Sequence, residues 1–233
     1  MSTRTALVTG TSSGIGLAIA ERLLADGWRV RGLDVAQATI THADFAARTL
    51  DLTDTAATDA AIGTLLGEQC PDALVHCAGV TRLAPLGALR AADGALLWQL
   101  HVDAATRLAN RVVPAMQAAG AGRVVLIGSR VSSGMAGRSQ YAACKAAMVA
   151  LAKSWAAEVV GAGVTVNVVS PAATATAMLR DPARAGTKAR MPPIGRYIKS
   201  GEVAALVAYL LSADAAAITG QDIAICGGAS LAS

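Results

Sequence analysis

The sequence predicts an α/β fold in which a parallel sheet of about seven strands is covered by helices on both faces. Three observations predict it. Apolar segments of strand length alternate along the chain with segments of helical character, 54% of the 233 residues are hydrophobic, and only 15% are charged. Continuous apolar strands are typical of a sheet that is buried on both faces. A chain of this size is expected to form a single domain, residues 1–233.

The elements follow in order along the chain. TALVTG is a short apolar strand that ends at a glycine-rich turn, and residues 14–26 are predicted to be helical. WRVRGLDV and ARTLDL are the next two strands, followed by a helix over 55–68 and the strand DALVHCAG. Apolar residues at helical spacing predict one long helix over 94–119: Leu97, Leu100, Ala104, Leu108 and Val112. The remaining elements are RVVLIGS, a helix over 139–160, VTVNVVSP, a helix over 202–212 and DIAIC.

Composition and charge exclude several classes of function. The net charge is only +4, and the basic residues form no compact run with interleaved aromatic residues, so no nucleic-acid partner is expected. No apolar run has the length of a membrane span, and the start MSTRTALVTG lacks the apolar segment of a secretory signal. The cysteines show neither metal-ligand spacing nor a disulfide framework: Cys70, Cys77, Cys144 and Cys226. A cytoplasmic protein without a metal site is therefore expected.

The turn after the first strand, TGTSSGIG, has the composition of a pyrophosphate site. Gly10, Gly14 and Gly16 let the backbone approach a phosphate, and the free N–H groups of a helix N-terminus favour negative charge. The spacing is G-x-x-x-G-x-G rather than the commoner G-x-G-x-x-G. Glycines at a strand–helix turn also occur for purely steric reasons, but the position in the first βα turn favours a dinucleotide.

Asp34 ends the second strand, 24 residues after Gly10. A carboxylate there can accept hydrogen bonds from an adenosine ribose and would repel a 2′-phosphate, which favours NAD over NADP. Arg29 and Arg31 on the same strand keep NADP as the alternative.

Tyr141 and Lys145, in SQYAACKAAM, are separated by one helical turn. Residues i and i+4 share a helix face, so the ammonium group can favour the phenolate and lower the pKa of the tyrosine, which suits proton exchange near neutral pH. By itself this pattern also fits a tyrosine at the edge of the core beside a solvated lysine.

With these motifs in order, the chain resembles the short-chain dehydrogenase/reductase family over nearly its whole length. The resemblance is carried by TGTSSGIG, Asp51–Leu52, CAG at 77–79, Ser129, YAACK, SPAATAT and ITGQDIAICGG. Each motif is weak alone, but their order and spacing together are specific. The resemblance implies a Rossmann-like doubly wound domain and an alcohol dehydrogenase or carbonyl reductase that uses a nicotinamide cofactor.

The resemblance also implies roles for individual residues. Tyr141 would exchange the proton with the substrate, Lys145 would bind the nicotinamide ribose, and Ser129 would hold the substrate oxygen, although a serine at a strand end is also ordinary. Thr174 and Thr176 would meet the nicotinamide carboxamide. The full set of cofactor-binding residues is expected to be Gly10, Ser13, Gly14, Ile15, Gly16, Asp34, Asp51, Leu52, Ala78, Gly79, Tyr141, Lys145, Pro171, Thr174 and Thr176.

Three positions depart from the family pattern. The usual Asn-Asn-Ala-Gly is HCAG here, so Cys77 replaces an amide that ties neighbouring strands, and the usual Pro-Gly is Pro171–Ala172. His101 occupies the place of a helix asparagine that helps to hold a water beside the catalytic lysine. An imidazole can itself relay a proton, which makes His101 a candidate catalytic residue, or it can merely pack in the core.

The segment after the sixth strand, residues 177–200, corresponds to the family's substrate lid. It contains six basic residues and one acidic residue, a net charge of +5: Arg180, Arg184, Lys188, Arg190, Arg196 and Lys199 against Asp181. Either the lid is simply solvated, or an arginine binds an anionic substrate through two parallel hydrogen bonds. Arg130, next to Ser129, is a second candidate; Arg196 is discounted because the family commonly has arginine there.

The helix that carries Tyr141 is apolar nearly all round, with many alanines, which indicates burial on more than one side. The family's usual homotetramer accounts for that pattern. The function expected is NAD-dependent oxidation or reduction of a secondary alcohol or ketone. The alternatives are reduction of a 3-oxoacyl thioester and a non-catalytic regulator that senses NAD.

Overall fold

The computed structural model describes residues 3–180 and 190–231. Its strands are β1 (Thr5–Thr9), β2 (Arg29–Asp34), β3 (Phe45–Thr49), β4 (Ala73–His76), β5 (Gly122–Ile127), β6 (Val164–Pro171) and β7 (Asp222–Ile225). Its main helices are α1 (Gly14–Ala25), α2 (Thr55–Glu68), α3 (Ala91–Trp98), α4 (Ala104–Ala118), α5 (Ser139–Val159) and α6 (Ser200–Leu210). A π-helical turn, Gln99–Asp103, joins α3 to α4.

The seven strands form one parallel sheet in the order β3-β2-β1-β4-β5-β6-β7. Successive side chains of a strand point to opposite faces. Leu7 of β1 therefore packs in the core beneath α4 and α5, whereas Ala6 and Val8 pack in the core beneath α1 and α6. This is the doubly wound α/β fold that the sequence predicts.

The strand order reverses beside β1, because β2 lies on one side of it and β4 on the other. In such sheets the crevice at the carboxyl ends of these strands is where ligands bind. The connections that leave β1, β4, β5 and β6 all start at this edge. The topology thus gathers the glycine turn, HCAG, Ser129 and SPAATAT at one end of the sheet.

Two element boundaries correct the sequence prediction. The third strand runs over Phe45–Thr49 rather than 47–52, because it pairs with β2 from Val30↔Phe45 to Asp34↔Thr49 and ends where β2 ends. The predicted single helix over 94–119 begins at Ala91 and is interrupted by the π-helical turn, in which the amide of Ala104 donates to the carbonyl of Gln99, five residues back. The spacing of apolar residues does not reveal one extra residue in a helical turn.

Among the described residues, no helix combines the length and apolar character needed to cross a membrane. No group of His, Cys, Asp and Glu side chains within the same residues could hold a metal ion.

Candidate active site

The carboxyl ends of the strands open into a cavity of about 710 Å³. Every residue that the sequence nominates as catalytic or cofactor-binding lies on its wall, from Gly10 and Asp34 at one end to Ser129 and Tyr141 at the other. These residues come from segments far apart in the chain. The fold brings them together because parallel strands end at the same edge of the sheet.

The glycine turn fits a pyrophosphate. Gly10 has a positive φ of 77°, and a Cβ there would lie 3.0 Å from the backbone of Ala78. A Cβ on Gly16 would collide with the carbonyl oxygen of Gly10. The first turn of α1 holds no acidic residue, and Ser13 makes no side-chain cap, so its amide groups can receive an anion.

At the end of the cavity beside β2, the carboxylate of Asp34 is oriented by backbone amides. One oxygen accepts from the amide of Ser12 at 2.8 Å and the other from the amide of Ala36 at 2.9 Å. The Asp51 carboxylate similarly accepts from the amide and hydroxyl of Thr53, both at 2.8 Å. Both carboxylates lie on the cavity wall and keep lone pairs that can accept from a ligand hydroxyl or amine.

Arg29 and Arg31, which kept NADP open as the alternative, line a separate small pocket of about 150 Å³ instead. Arg29 also lies 3.8 Å from the carboxylate of Asp44. Neither residue is on the wall of the large cavity.

The three proposed catalytic side chains come from the end of β5 and the start of α5 and line the same cavity. Ser129 follows β5 by two residues, and its hydroxyl is 3.4 Å from the amide of Val131. Lys145 is buried; its Nζ donates to the carbonyl of Ile127 at 2.8 Å and lies 5.7 Å from the ring centroid of Tyr141. Burial lowers the pKa of Lys145 to about 8, because the charged form is poorly solvated there.

His101 lies in the π-helical turn and is 1% exposed. Its Nε2 is 3.0 Å from the carbonyl of Val80, so this nitrogen must carry the proton and donate it. The ring meets the Tyr141 ring edge-on, with centroids 5.6 Å apart, and it covers Gly79 so closely that a Cβ there would collide with it. Burial, with a smaller contribution from Lys145, holds the pKa of His101 well below its usual value.

The remaining nitrogen of His101, Nδ1, is buried and has no hydrogen-bond partner among the described residues. Because Nε2 is committed to a carbonyl, any proton relay would have to use Nδ1. The relay stays a prediction, and the orphaned acceptor shows where a donor such as a water molecule would bind.

His76 is a residue that the sequence reasoning missed. It is fully buried at the end of β4, where its Nδ1 is 3.1 Å from the hydroxyl of Thr9 and its Nε2 is 3.1 Å from the carbonyl of Leu100. Burial lowers its pKa to about 3. Its sequence signal is the histidine at the first asparagine position of the family's Asn-Asn-Ala-Gly motif, in HCAG.

Cys77 does not tie the strands through its side chain. Burial raises the pKa of its thiol to about 12. Its backbone amide does the tying instead, since it donates to the Thr9 hydroxyl at 3.0 Å, as the amide of Ala78 also does.

The lid side of the cavity is described in part. Thr174 is buried and donates to the carbonyl of Ala172 at 3.0 Å, and Thr176 lies against Gly14. Arg130 and Arg190 are on the cavity wall. Arg184, Lys188 and Asp181 lie outside the described residues, as does the side chain of Arg180. Arg196 is held by Glu202 through two bonds of 2.7 and 2.8 Å.

Comparison with known proteins identifies the family. A family model described as enoyl-(acyl carrier protein) reductase matches residues 10–230. The 3-oxoacyl-[acyl-carrier-protein] reductase FabG of Salmonella typhimurium is 37% identical over 234 residues, 96% of each chain. The chain is a short-chain dehydrogenase/reductase. MabA of Mycobacterium bovis, with the same described activity, is 35% identical and shares 97% of this chain and 92% of its own.

Solved structures agree with this family. The actinorhodin polyketide ketoreductase, solved with NADPH, superposes with a TM-score of 0.90 at 28% identity over 98% of this chain and 97% of that one. As a short-chain dehydrogenase/reductase, the protein is an oxidoreductase that acts on C=O or CH–OH groups with a nicotinamide cofactor.

Proposed function

We propose that this short-chain dehydrogenase/reductase interconverts a ketone and a secondary alcohol, with Tyr141 as the acid and base and NAD(H) as the preferred cofactor. The observation that carries the proposal is that Ser129, Tyr141 and Lys145 share one cavity wall with the glycine turn. A regulator that only senses NAD would not need all three side chains beside the nicotinamide end.

The bound nicotinamide would supply or accept the hydride. In reduction, the Ser129 hydroxyl donates a hydrogen bond to the carbonyl oxygen, and the Tyr141 hydroxyl donates the proton that this oxygen needs as it becomes an alcohol. Lys145, while charged, favours the phenolate form of Tyr141 and so eases that transfer. Apolar side chains on the surrounding wall limit the access of water, including Leu96, Leu100, Val131 and Met135.

The preference for NAD rests on Asp34. Its carboxylate lies on the cavity wall, already oriented, where it would accept from a ribose hydroxyl and repel a phosphate. The solved actinorhodin ketoreductase holds NADPH, so this chain is proposed to differ from it in cofactor.

The test of the NAD preference is the ratio of kcat/KM for NADH to kcat/KM for NADPH, measured with wild type and with Asp34→Ala. NAD preference in wild type that collapses in the variant supports the proposal, and wild-type preference for NADPH contradicts it. Asp44→Ala, at a half-exposed acid that is not on the cavity wall, is the control.

A second candidate substrate is a 3-oxoacyl thioester, which the activity of the FabG and MabA relatives favours. Its 3-oxo group is a ketone, so the chemistry at Tyr141 is the same. A panel of simple ketones, secondary alcohols and a 3-oxoacyl thioester, each with both cofactors, separates the two candidates by kcat/KM. If no member of the panel is turned over, the alternative of a non-catalytic regulator that senses NAD is favoured.

We also propose that the substrate carries an anionic group. Among the described residues of the cavity wall, the acids Asp34 and Asp51 lie at the adenine end, whereas Arg130 directly follows Ser129 and Arg190 borders the lid. Substrate pairs that differ only by a carboxylate should therefore differ at least tenfold in kcat/KM, and added salt should weaken the preference. Arg130→Gln should raise KM for the acid alone. Arg111→Gln, at an exposed arginine of α4, is the control, and equal rates for both partners would contradict the proposal.

Two further properties are proposed for the whole protein. Ala143, Ala146 and Ala150 form an exposed small-residue stripe on α5, which supports assembly through this helix into the tetramer usual for the family. Light scattering on wild type and Ala146→Arg tests this assembly: loss of a tetramer in the variant supports the contact, and a monomeric wild type contradicts it.

A cytoplasmic location stays a prediction that cell fractionation can check.

A further inference from the structure

The hydrogen bonds around His76 leave only one arrangement of protons. The Thr9 hydroxyl oxygen is 3.0 Å from the amides of both Cys77 and Ala78, and these groups can only donate. The hydroxyl proton must therefore go elsewhere, and its partner is Nδ1 of His76 at 3.1 Å. Nδ1 then accepts, so Nε2 carries the imidazole proton and donates it to the carbonyl of Leu100 at 3.1 Å.

The Leu100 carbonyl takes this bond because the helix is irregular there. In a regular α-helix it would accept from the amide of Ala104, four residues on. Here the amide of Ala104 donates to Gln99, five residues back. His76, at the end of β4, supplies a donor to the carbonyl that has lost this regular helical partner.

The turn in question carries His101, the next residue after Leu100. Its irregular backbone lets the His101 ring reach the carbonyl of Val80 and lie edge-on to Tyr141 at 5.6 Å. A π-helical turn inside a longer helix often marks a functional position. A bond that holds this turn therefore acts on the reacting tyrosine through His101.

We propose that His76 is a positioning residue of the active site, which holds the π-helical turn and so places His101 against Tyr141. The proposal rests on the proposed function of Tyr141. Among the described residues His76 is not on the wall of the large cavity, and its side chain bonds to Thr9, next to the glycine turn, and to Leu100. Its burial keeps it neutral above about pH 3, so at neutral pH the tautomer is the one that these two hydrogen bonds fix.

Two substitutions separate the two hydrogen bonds of His76. In His76→Gln the amide nitrogen can replace Nε2 and still donate to Leu100, whereas in His76→Asn the shorter side chain can replace only Nδ1 and serve Thr9. We expect kcat to fall at least tenfold in His76→Asn and to stay within threefold in His76→Gln, with KM for the cofactor within twofold of wild type in both. A role in stability alone would lower the melting temperature and leave kcat per folded molecule unchanged in both variants. Equal kcat in the two variants, or a lower kcat in His76→Gln, would overturn the proposal.

Nitrogen NMR of the imidazole rings tests the same bond in the wild-type protein and without turnover. The chain has three histidines, and exposed His42 serves as the internal reference. We expect His76 and His101 to be neutral Nε2–H tautomers. An Nδ1–H tautomer at His76 would leave Leu100 without its donor and overturn the proposal. If no substrate is turned over but the Nε2–H tautomer is found at His76, the proposed function fails and the hydrogen-bond chain stands.

Discussion

Lys145 shows how burial adjusts a functional side chain at the scale of single residues. Its ammonium has the carbonyl of Ile127 and the sulfur of Met148 within hydrogen-bonding distance, and burial is the largest influence on its pKa. Desolvation therefore dominates and brings the pKa down to about 8. A buried lysine with its pKa near 8 responds more strongly to the charge on Tyr141 than a fully solvated lysine could.

Tyr141→Phe keeps the packing of the ring and removes the proton that is exchanged. We expect kcat to fall at least ~100-fold, in line with the size of general acid catalysis. The affinity for NADH, followed by its fluorescence, should stay within about threefold because the glycine turn is unchanged. Tyr209→Phe, at an exposed tyrosine of α6, is the control and should retain full activity. Activity of the Tyr141 variant close to that of wild type would remove this residue from the mechanism.

Lys145→Met should make the protein more stable and less active. The unfolded lysine binds its proton up to about pH 10.5, whereas the folded one releases it near pH 8. The burial penalty is therefore complete and constant below pH 8, and the wild type gains stability as the pH rises from 8 to 10.5. The shift corresponds to at most about 3 kcal/mol at pH 7. Urea unfolding at pH 7 and pH 10 measures it, with exposed Lys153→Met as control. A variant less stable than wild type at pH 7 would contradict the burial penalty.

At the scale of elements, the π-helical turn between α3 and α4 decides where His101 points. One extra residue in the turn moves the side chain relative to a regular helix, and the carbonyls of Val80 and Leu100 take hydrogen bonds from two imidazoles. His101, at the position of the family's helix asparagine, and His76, in HCAG, therefore lie at the same turn. Both histidines stand where the end of β4 meets the π-helical turn between α3 and α4.

His101→Leu tests whether the imidazole does more than pack. Leucine cannot donate to Val80 and offers no acceptor in place of Nδ1, so we expect turnover to slow several-fold and the pH–rate profile to change. His101→Asn retains an amide donor and should keep most of the activity. Initial rates over a pH series measure both effects. An unchanged profile in the leucine variant would leave His101 with only a packing role.

At the scale of the whole molecule, two buried neutral histidines, His76 and His101, make the free energy of unfolding depend on pH. In the unfolded chain His76 binds a proton near pH 6.5, but in the folded chain only near pH 3. The unfolded state binds more protons in that interval, so stability present above pH 6.5 is lost as the pH falls, by up to about 1.4 kcal/mol per pH unit for each histidine. His101 adds to this effect in the same direction.

Urea unfolding between pH 4 and pH 7 measures this loss. In His76→Gln the free energy of unfolding should depend less steeply on pH, because the contribution of His76 is removed. His42→Gln, at an exposed position, should leave the slope unchanged. The same slope in His76→Gln and wild type would contradict the buried, neutral state of His76. A single cooperative transition in these curves would also support the prediction that residues 1–233 form one domain.

The sequence by itself determined the order of strands and helices, the parallel sheet and the family, because apolar periodicity and motif spacing are local properties of the chain. It also nominated Ser129, Tyr141, Lys145 and the glycine turn, which all lie on one cavity wall. Only the tertiary structure decided that Arg29 and Arg31 line another pocket, that Asp34 is oriented by Ser12 and Ala36, and that the long helix contains a π-helical turn. It alone revealed His76, because a bond from β4 to Leu100 depends on which strand ends beside which helix, and no spacing along the chain records that.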